Sequence, residues 1–264
     1  FKEHLFTLLI PFELLGIFVL LSVIKDRFAI PDFIFPYPVA VIERFFSTLR
    51  TGVIFSDLGV TMVESLSGFV IALGITLVLG YVIAKSPLLS KLLMPYLIAT
   101  NTIPSVALAP FLVLWLGFGM APKIFTAVIV VFFPMLINNI AAIKLSEQRM
   151  QELIQFYKPF WLKRFAKFEL PAALPVIFSG IKVSITLSVI GAVVGEFISG
   201  NEGLGSLVGR AKANFDIELM FVALIWLVLL GLSYYNIANA LYLGLCKKLH
   251  ITHGGELYES RKNA

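Results

Sequence analysis

Apolar residues fall in six stretches, roughly 5–24, 58–84, 92–116, 121–143, 173–198 and 218–245. Each is about 20 residues or slightly longer, the length a helix needs to cross a hydrocarbon core of about 30 Å. Strict alternation over about ten residues, the mark of a membrane barrel strand, is missing, so the runs predict helices. Between the first two lies FPYPVAVIERFFSTLRTG, too short and too charged to cross. There Val39, Ile42, Phe45, Phe46 and Leu49 recur at helical spacing and predict an amphipathic helix over about 37–50, lying in the membrane interface. The second run places Gly68, Gly74 and Gly80 where small residues would let neighbouring backbones approach. The third run is interrupted by Pro95, Pro104 and Pro110 and carries the polar residues Thr100, Asn101, Thr102 and Ser105 at mid-depth. Interior prolines kink a helix. Broken polar backbone inside a membrane is tolerated only against protein or a water-filled cavity, so this run is expected to line one.

Composition agrees with that pattern. Of 264 residues, 59% are hydrophobic and 14% charged, and the mean hydropathy is +0.93; a soluble domain has about 45–50% apolar and about 25% charged residues. The chain reads as an all-α membrane protein with no convincing internal repeat, organised as one domain over 1–264. The run from Leu5 is too long for a signal-peptide core and lacks a small-residue cleavage site, so it is expected to stay as an anchor. Cys246 is the single cysteine, which excludes an intrachain disulfide and a cysteine-cluster metal site. The three histidines (His4, His250, His253) lie near the chain ends, so no histidine metal site is expected inside.

The 21 basic residues outnumber the 16 acidic ones, and their placement sets orientation, because cytoplasmic loops collect lysine and arginine. With both termini inside, the cytoplasmic side gathers about 13 of them and the outer side about seven. The excess therefore belongs to loops, and nucleic acid is not an expected partner. Six cytoplasmic charges (Lys144, Arg149, Lys158, Lys163, Arg164 and Lys167) fall in one segment, KLSEQRMQELIQFYKPFWLKRFAKFELPAALP, from Lys144 to Pro175. Leu153, Ile154, Tyr157, Phe160, Trp161 and Phe165 make it too apolar for a merely solvated loop. Either a docking face for a partner or an amphipathic helix resting on lipid fits that pattern.

Within the segment, Glu152 stands 19 residues before Pro171 of Leu170-Pro171-Ala172-Ala173-Leu174-Pro175. This layout resembles the cytoplasmic signature of binding-protein-dependent ABC transporter permeases. Ile103-Pro104 through Trp115-Leu116-Gly117-Phe118-Gly119, Gly191-Ala192-Val193-Val194-Gly195-Glu196-Phe197 with Glu202-Gly203-Leu204-Gly205, and Thr61 to Gly68-Phe69 are similar to the branch that handles nitrate, sulfonates, taurine, bicarbonate and vitamin precursors. The likeness covers about residues 55–245. It implies a type I ABC importer permease fold with six transmembrane helices in the cell (inner or plasma) membrane of a prokaryote. It also implies a homodimer, a cytoplasmic ATPase that carries ATP and Mg, and an extracytoplasmic substrate-binding protein. The segment 144–172 becomes the coupling loop, with Glu152, Leu153, Ile154, Tyr157, Lys158, Pro159, Phe160 and Trp161 expected to meet the ATPase. This sequence departs from the signature at Leu153, Ile154 and Lys158, where alanines and a glycine are usual, so the turn must form differently, with Pro159 able to open the second short helix.

No GxxxxGK[ST], HExxH or GxSxG motif occurs, so no enzyme and no cofactor of its own is expected of this chain. An ATP-independent facilitator or channel is the alternative, and it would need no docking segment. Pathway candidates are Thr100, Asn101, Thr102, Ser105, Asn138, Asn139 and Glu196. Glu196 is expected either to line the route or to pair with a base such as Arg210 or Lys212, and Glu64 either to serve function, the default for an acid in a span, or simply to be hydrated at the outer end of its run. Lys182 is expected to snorkel towards the cytoplasmic side. The candidates are mostly neutral and include no arginine to clamp an anion, which favours a vitamin-like, pyrimidine or riboflavin-type compound over nitrate, sulfonates or taurine.

Overall fold

A computed structural model describes residues 20, 22–28, 31, 34–101, 103–157, 160, 164 and 168–249, and the side chains of all of these except 149, 151–155, 157 and 249. Among the described residues all regular structure is helical. In chain order the helices are α1 (Pro38–Thr51), α2 (Val53–Lys85), α3 (Pro87–Thr100), α4 (Ala109–Leu116), α5 (Met120–Tyr157), α6 (Leu170–Ser199), α7 (Leu204–Ala213) and α8 (Ile217–Leu249).

Helices α2, α6 and α8, and α5 over Met120–Gln148, are each long and apolar enough to cross a membrane. Helix α3 and the stretch Ser105–Leu116 form a fifth, bent candidate, with 83° between its arms. The bend falls where Pro104 precedes a short 3₁₀ turn, Ser105–Leu108, that leads into α4. Proline cannot donate to the preceding turn, so the third apolar run is broken into two helices, as its prolines led one to expect. The first apolar run lies mostly outside the described residues. Helix α1 falls where a helix over about 37–50 is expected, and its C-terminal Gly52 takes φ +74°, closing it with N–H bonds to Thr48 and Leu49 before α2 begins.

Helix α5 is the largest departure. An apolar run ending near 143 predicts a helix ending there, yet α5 continues without a break to Tyr157. Its 38 residues rise roughly 57 Å, nearly twice a hydrocarbon core. The first half of the expected coupling loop is therefore the rigid extension of a membrane helix.

Two compact units divide the chain, residues up to 60 with 201–228, and 61–200 with those from 229 onward. In the first, Ile54, Leu204, Leu207, Val208 and Ala223 form the buried core, with Trp226 packed against it. Phe45 stacks on Trp226 with ring centroids 5.5 Å apart. Asp57 anchors the turn before α7. It accepts from the Gly203 N–H at 2.8 Å, and Arg210 Nη2 lies 3.0 and 2.9 Å from its two oxygens. Gly203 has φ +109°, which a side chain would strain.

In the second unit, α5 packs along α6. Small residues set the distance: a Cβ on Gly191 would lie 2.5 Å from Ala127 Cα, and one on Gly195 2.6 Å from Lys123 Cα. On α2, a Cβ on Gly68 would meet Ala127 Cβ at 2.5 Å and one on Gly80 would meet Asn139 Cβ at 2.9 Å. Gly74, expected to share that role, has nothing within 4 Å. Ile83, Ala84, Leu136, Ile140 and Ile143 fill the α2–α5 seam. Outside the seams, Val70, Val78, Val82, Val183, Ile190, Leu232 and Leu241 are exposed, as lipid-facing positions should be, since lipid offers such side chains no penalty.

Candidate functional site

The polar residues of the second unit collect at three levels along its helices. At the start of α5, Lys123 Nζ donates to Glu64 Oε1 of α2 at 2.9 Å, with the side chains 5% and 0% exposed. The expectation of a hydrated Glu64 is overturned: the carboxylate is enclosed and paired, because Gly195 lets the α5 backbone and the Lys123 stem lie against α6. Glu196, also fully buried, accepts from Thr61 Oγ1 at 2.6 Å. Arg210, one of the bases considered for Glu196, holds Asp57 within the first unit.

Midway along the helices, Asn139 is buried and its Nδ2 donates to Thr76 Oγ1 at 3.2 Å. Asn138 is half-buried and donates to the Val176 carbonyl at 3.1 Å. Gly180 makes room for that amide, since a Cβ there would lie 2.0 Å from Asn138 Nδ2. These two pathway candidates therefore bridge α5 to α2 and to α6. Ser105 and Thr100 are half-buried and Asn101 is exposed beside the break between α3 and α4; Thr102 lies outside the described residues. Lys182 is not simply drawn out along the membrane. Its Nζ donates to Asn239 Oδ1 of α8 at 2.6 Å and stands 4.8 Å from the Tyr242 ring centroid.

At the level of the central segment, four charges close a ring. Lys85 Nζ, on the last residue of α2, lies 2.5 Å from Glu169 Oε1 and 3.2 Å from Glu147 Oε1. Arg164 Nε lies 2.6 Å from Glu169 Oε1, and its Nη2 2.5 Å from Glu147 Oε1. Burial opposes the charge on Arg164, but the hydrogen bond and charge of Glu169, joined by those of Glu147, hold its guanidinium above its ordinary range. Nearby, Lys144 donates to Ser90 Oγ, tying α5 to the start of α3. The sequence marks Lys85, Lys144 and Arg164 only as topology-setting charges and assigns Glu147 and Glu169 no role. The one available signal was Glu169 itself, an acid directly before Leu170-Pro171 in an otherwise basic stretch.

Of the expected coupling residues, Glu152, Leu153, Ile154 and Tyr157 belong to the last turns of α5. Their side chains, and Lys158, Pro159 and Trp161 altogether, lie outside the description. Phe156 and Phe160 are 83% and 66% exposed. Among the described residues no group of three or more His, Cys, Asp or Glu side chains is arranged to hold a metal.

Comparison with known proteins identifies the kind of membrane protein to which these apolar helices belong. The family model described as "Binding-protein-dependent transport system inner membrane component" matches residues 76–244. A probable ABC transporter permease protein of Haemophilus influenzae is 33% identical over 229 residues, 86% of this chain and 93% of that protein. The riboflavin transport system permease protein RibX of Chloroflexus aurantiacus is 38% identical over 213 residues, 80% of this chain and 79% of its own. The formylaminopyrimidine transport permease protein ThiX of Halalkalibacterium halodurans is 30% identical over 220 residues, 81% of this chain and 87% of its own. The chain therefore belongs to the binding-protein-dependent inner membrane components of transport systems, as a multi-pass ABC importer permease of the cell membrane.

Proposed function

We propose that two copies of this chain enclose the route of a riboflavin- or pyrimidine-type vitamin compound, delivered by an extracytoplasmic binding protein and driven by a separate ATPase. The observation that carries the substrate class is the 38% identity to a riboflavin permease over 80% of the chain. The neutral character of Thr100, Asn101, Thr102, Ser105, Asn138 and Asn139 supports it, since an aromatic amide-rich compound needs hydrogen-bonding groups rather than a charge clamp. The bend beside Pro104 supports a role for the first four in the wall of the route, because freed backbone groups need water or protein partners. Asn139 and Glu196, buried between helices in this state, belong to walls that would have to slide for the route to open.

Drive comes from the cytoplasmic side. The ATPase carries ATP and Mg, and 144–172 is its seat, with Glu152, Leu153, Ile154, Tyr157, Lys158, Pro159, Phe160 and Trp161 at the contact. Two facts support that reading: α5 runs on from its apolar candidate span, Met120–Gln148, to Tyr157, and Phe156 and Phe160 are exposed. Exposed aromatic groups on a rigid support suit a partner pocket. Closure of the ATPases on ATP would push the two seats together and open the route outward; hydrolysis would reset it.

The test is purification of the full chain co-expressed with its cognate ATPase and binding protein. ATPase subunits are expected to co-purify, and riboflavin-loaded binding protein to raise ATP hydrolysis at least several-fold. Tyr157→Ala is expected to remove most of the bound ATPase. Loss of the substrate assignment would appear as stimulation by taurine- or nitrate-loaded protein alone. A chain that moved riboflavin across vesicles with no ATPase attached would instead support the facilitator reading.

A further inference from the structure

We propose that the ring Lys85–Glu147–Arg164–Glu169 is the joint through which the ATPase seat moves the membrane helices, with Arg164 as its positioning residue. The inference rests on the reading that 144–172 receives the ATPase, and adds how its motion reaches the membrane.

Topology makes the ring a joint rather than a surface pair. Glu147 lies on α5 ten residues before its end at Tyr157, Glu169 immediately precedes α6, and Lys85 ends α2. Arg164 belongs to the segment between α5 and α6. One guanidinium therefore ties the segment to the helix entering it and to the helix leaving it, while one ammonium ties the same two acids to a third helix. Each base touches both acids, at 2.5–3.2 Å, so the four charges cancel and no pair can part without disturbing the other two members. Arginine suits the central place because its planar fork offers two donors in fixed directions, which a lysine cannot copy.

Burial grades the ring from rigid to accessible. Glu169 is 2% exposed and its Oε2 has no hydrogen-bond partner, whereas Glu147 and Arg164 are 36% and 33% exposed. A buried carboxylate with one oxygen already unsatisfied holds tightly to its two bases, since a charge left unpaired in a dry site is costly. The accessible pair joins α5 to the segment that the ATPase would move. Such an element has one stiff end in the membrane helices and one end that can be pushed, as a transmitted motion requires.

The experiment uses the full chain with its cognate ATPase in lipid nanodiscs, with Cys246→Ser and a reporter Ser199→Cys at the far end of α6. The rate of maleimide labelling at 199 is measured with and without ATP and vanadate, alongside the ATPase retained on purification. The unaltered joint is expected to change the labelling rate on trapping. Arg164→Gln and Glu147→Gln are each expected to retain the ATPase and hydrolyse ATP, with the change in labelling cut by about tenfold, the size of a typical coupling between sites. The double variant should lose less than the two single losses combined, because the Arg164–Glu147 contact is removed in all three. Arg164→Lys, which keeps the charge and loses the fork, should fall between.

A full trapping response in Arg164→Gln would overturn the proposal. So would loss of the ATPase from Arg164→Gln with Glu147→Gln unaffected, which would make Arg164 a docking contact instead. An unaltered chain that never retains an ATPase would remove the coupling reading itself, and the joint with it.

Discussion

Replacing Lys123 by methionine is expected to destabilise the folded chain by about 3–5 kcal/mol, the usual cost of breaking a buried ion pair by removing one partner. Lys123 and Glu64 stand 2.9 Å apart at 5% and 0% exposure, and Glu64 Oε2 already has no hydrogen-bond partner. Without the ammonium, the carboxylate must stay charged in a dry seam or take up a proton. Either way the folded state loses free energy that the unfolded state keeps. Glu64→Met with Lys123→Met should recover most of the loss, because two apolar side chains of similar length need no solvation. Thermal unfolding of the purified chain in one detergent reads the effect, as a large fall in Tm for the single variant and a small one for the double. A single variant as stable as the double would mean that the pair is solvated and contributes little.

The same pair marks where the sequence stopped being informative. Runs of about 20 apolar residues were enough to recover α2, α6 and α8 to within a few residues, because the hydrocarbon thickness dictates their length. Two cases escaped that rule. Helix α5 outran its apolar stretch, since a polar sequence such as KLSEQRMQELIQ remains a good helix former once a membrane helix has nucleated it. The third apolar run broke, since its proline spacing announces a disruption but not the angle between the two arms. Partner choice was harder still. Glu64 and Lys123 are 59 residues apart, and Lys85 and Glu169 are 84 apart, so only the packing of three helices reveals that each acid has a base within reach. The apolar residues Leu153, Ile154, Tyr157, Phe160, Trp161 and Phe165 were legible as a face to be covered by a partner or by lipid, but not as the continuation of α5 that carries the first three.

Gly191 gives the second large effect, and its sign is opposite to that at Gly74 because their surroundings differ. Gly191→Ala places a methyl 2.5 Å from Ala127 Cα and 3.2 Å from both Ala127 N and Thr126 O. All three are backbone atoms of α5, so no rotamer change can relieve the contact and the two helices must separate. Overpacking of this kind costs typically about 1–3 kcal/mol, and the upper end is expected because Gly195, four residues on, meets the Lys123 backbone equally closely. Gly68→Ala should cost a similar amount, because Ala127 Cβ at 2.5 Å cannot rotate away and the Ile124 carbonyl lies 3.0 Å off, and it would part α5 from α2, across which Lys123 meets Glu64. Gly74→Ala makes the opposite case. It sits within α2 with nothing inside 4 Å, so the added methyl meets no clash and lowers the backbone entropy of the unfolded chain, a gain of about 0.4–1 kcal/mol. Measured side by side as Tm in the same detergent, Gly191→Ala should fall by several degrees and Gly74→Ala should rise slightly. Equal shifts for the two would mean that α5 and α6 are not held at the distance their glycines permit.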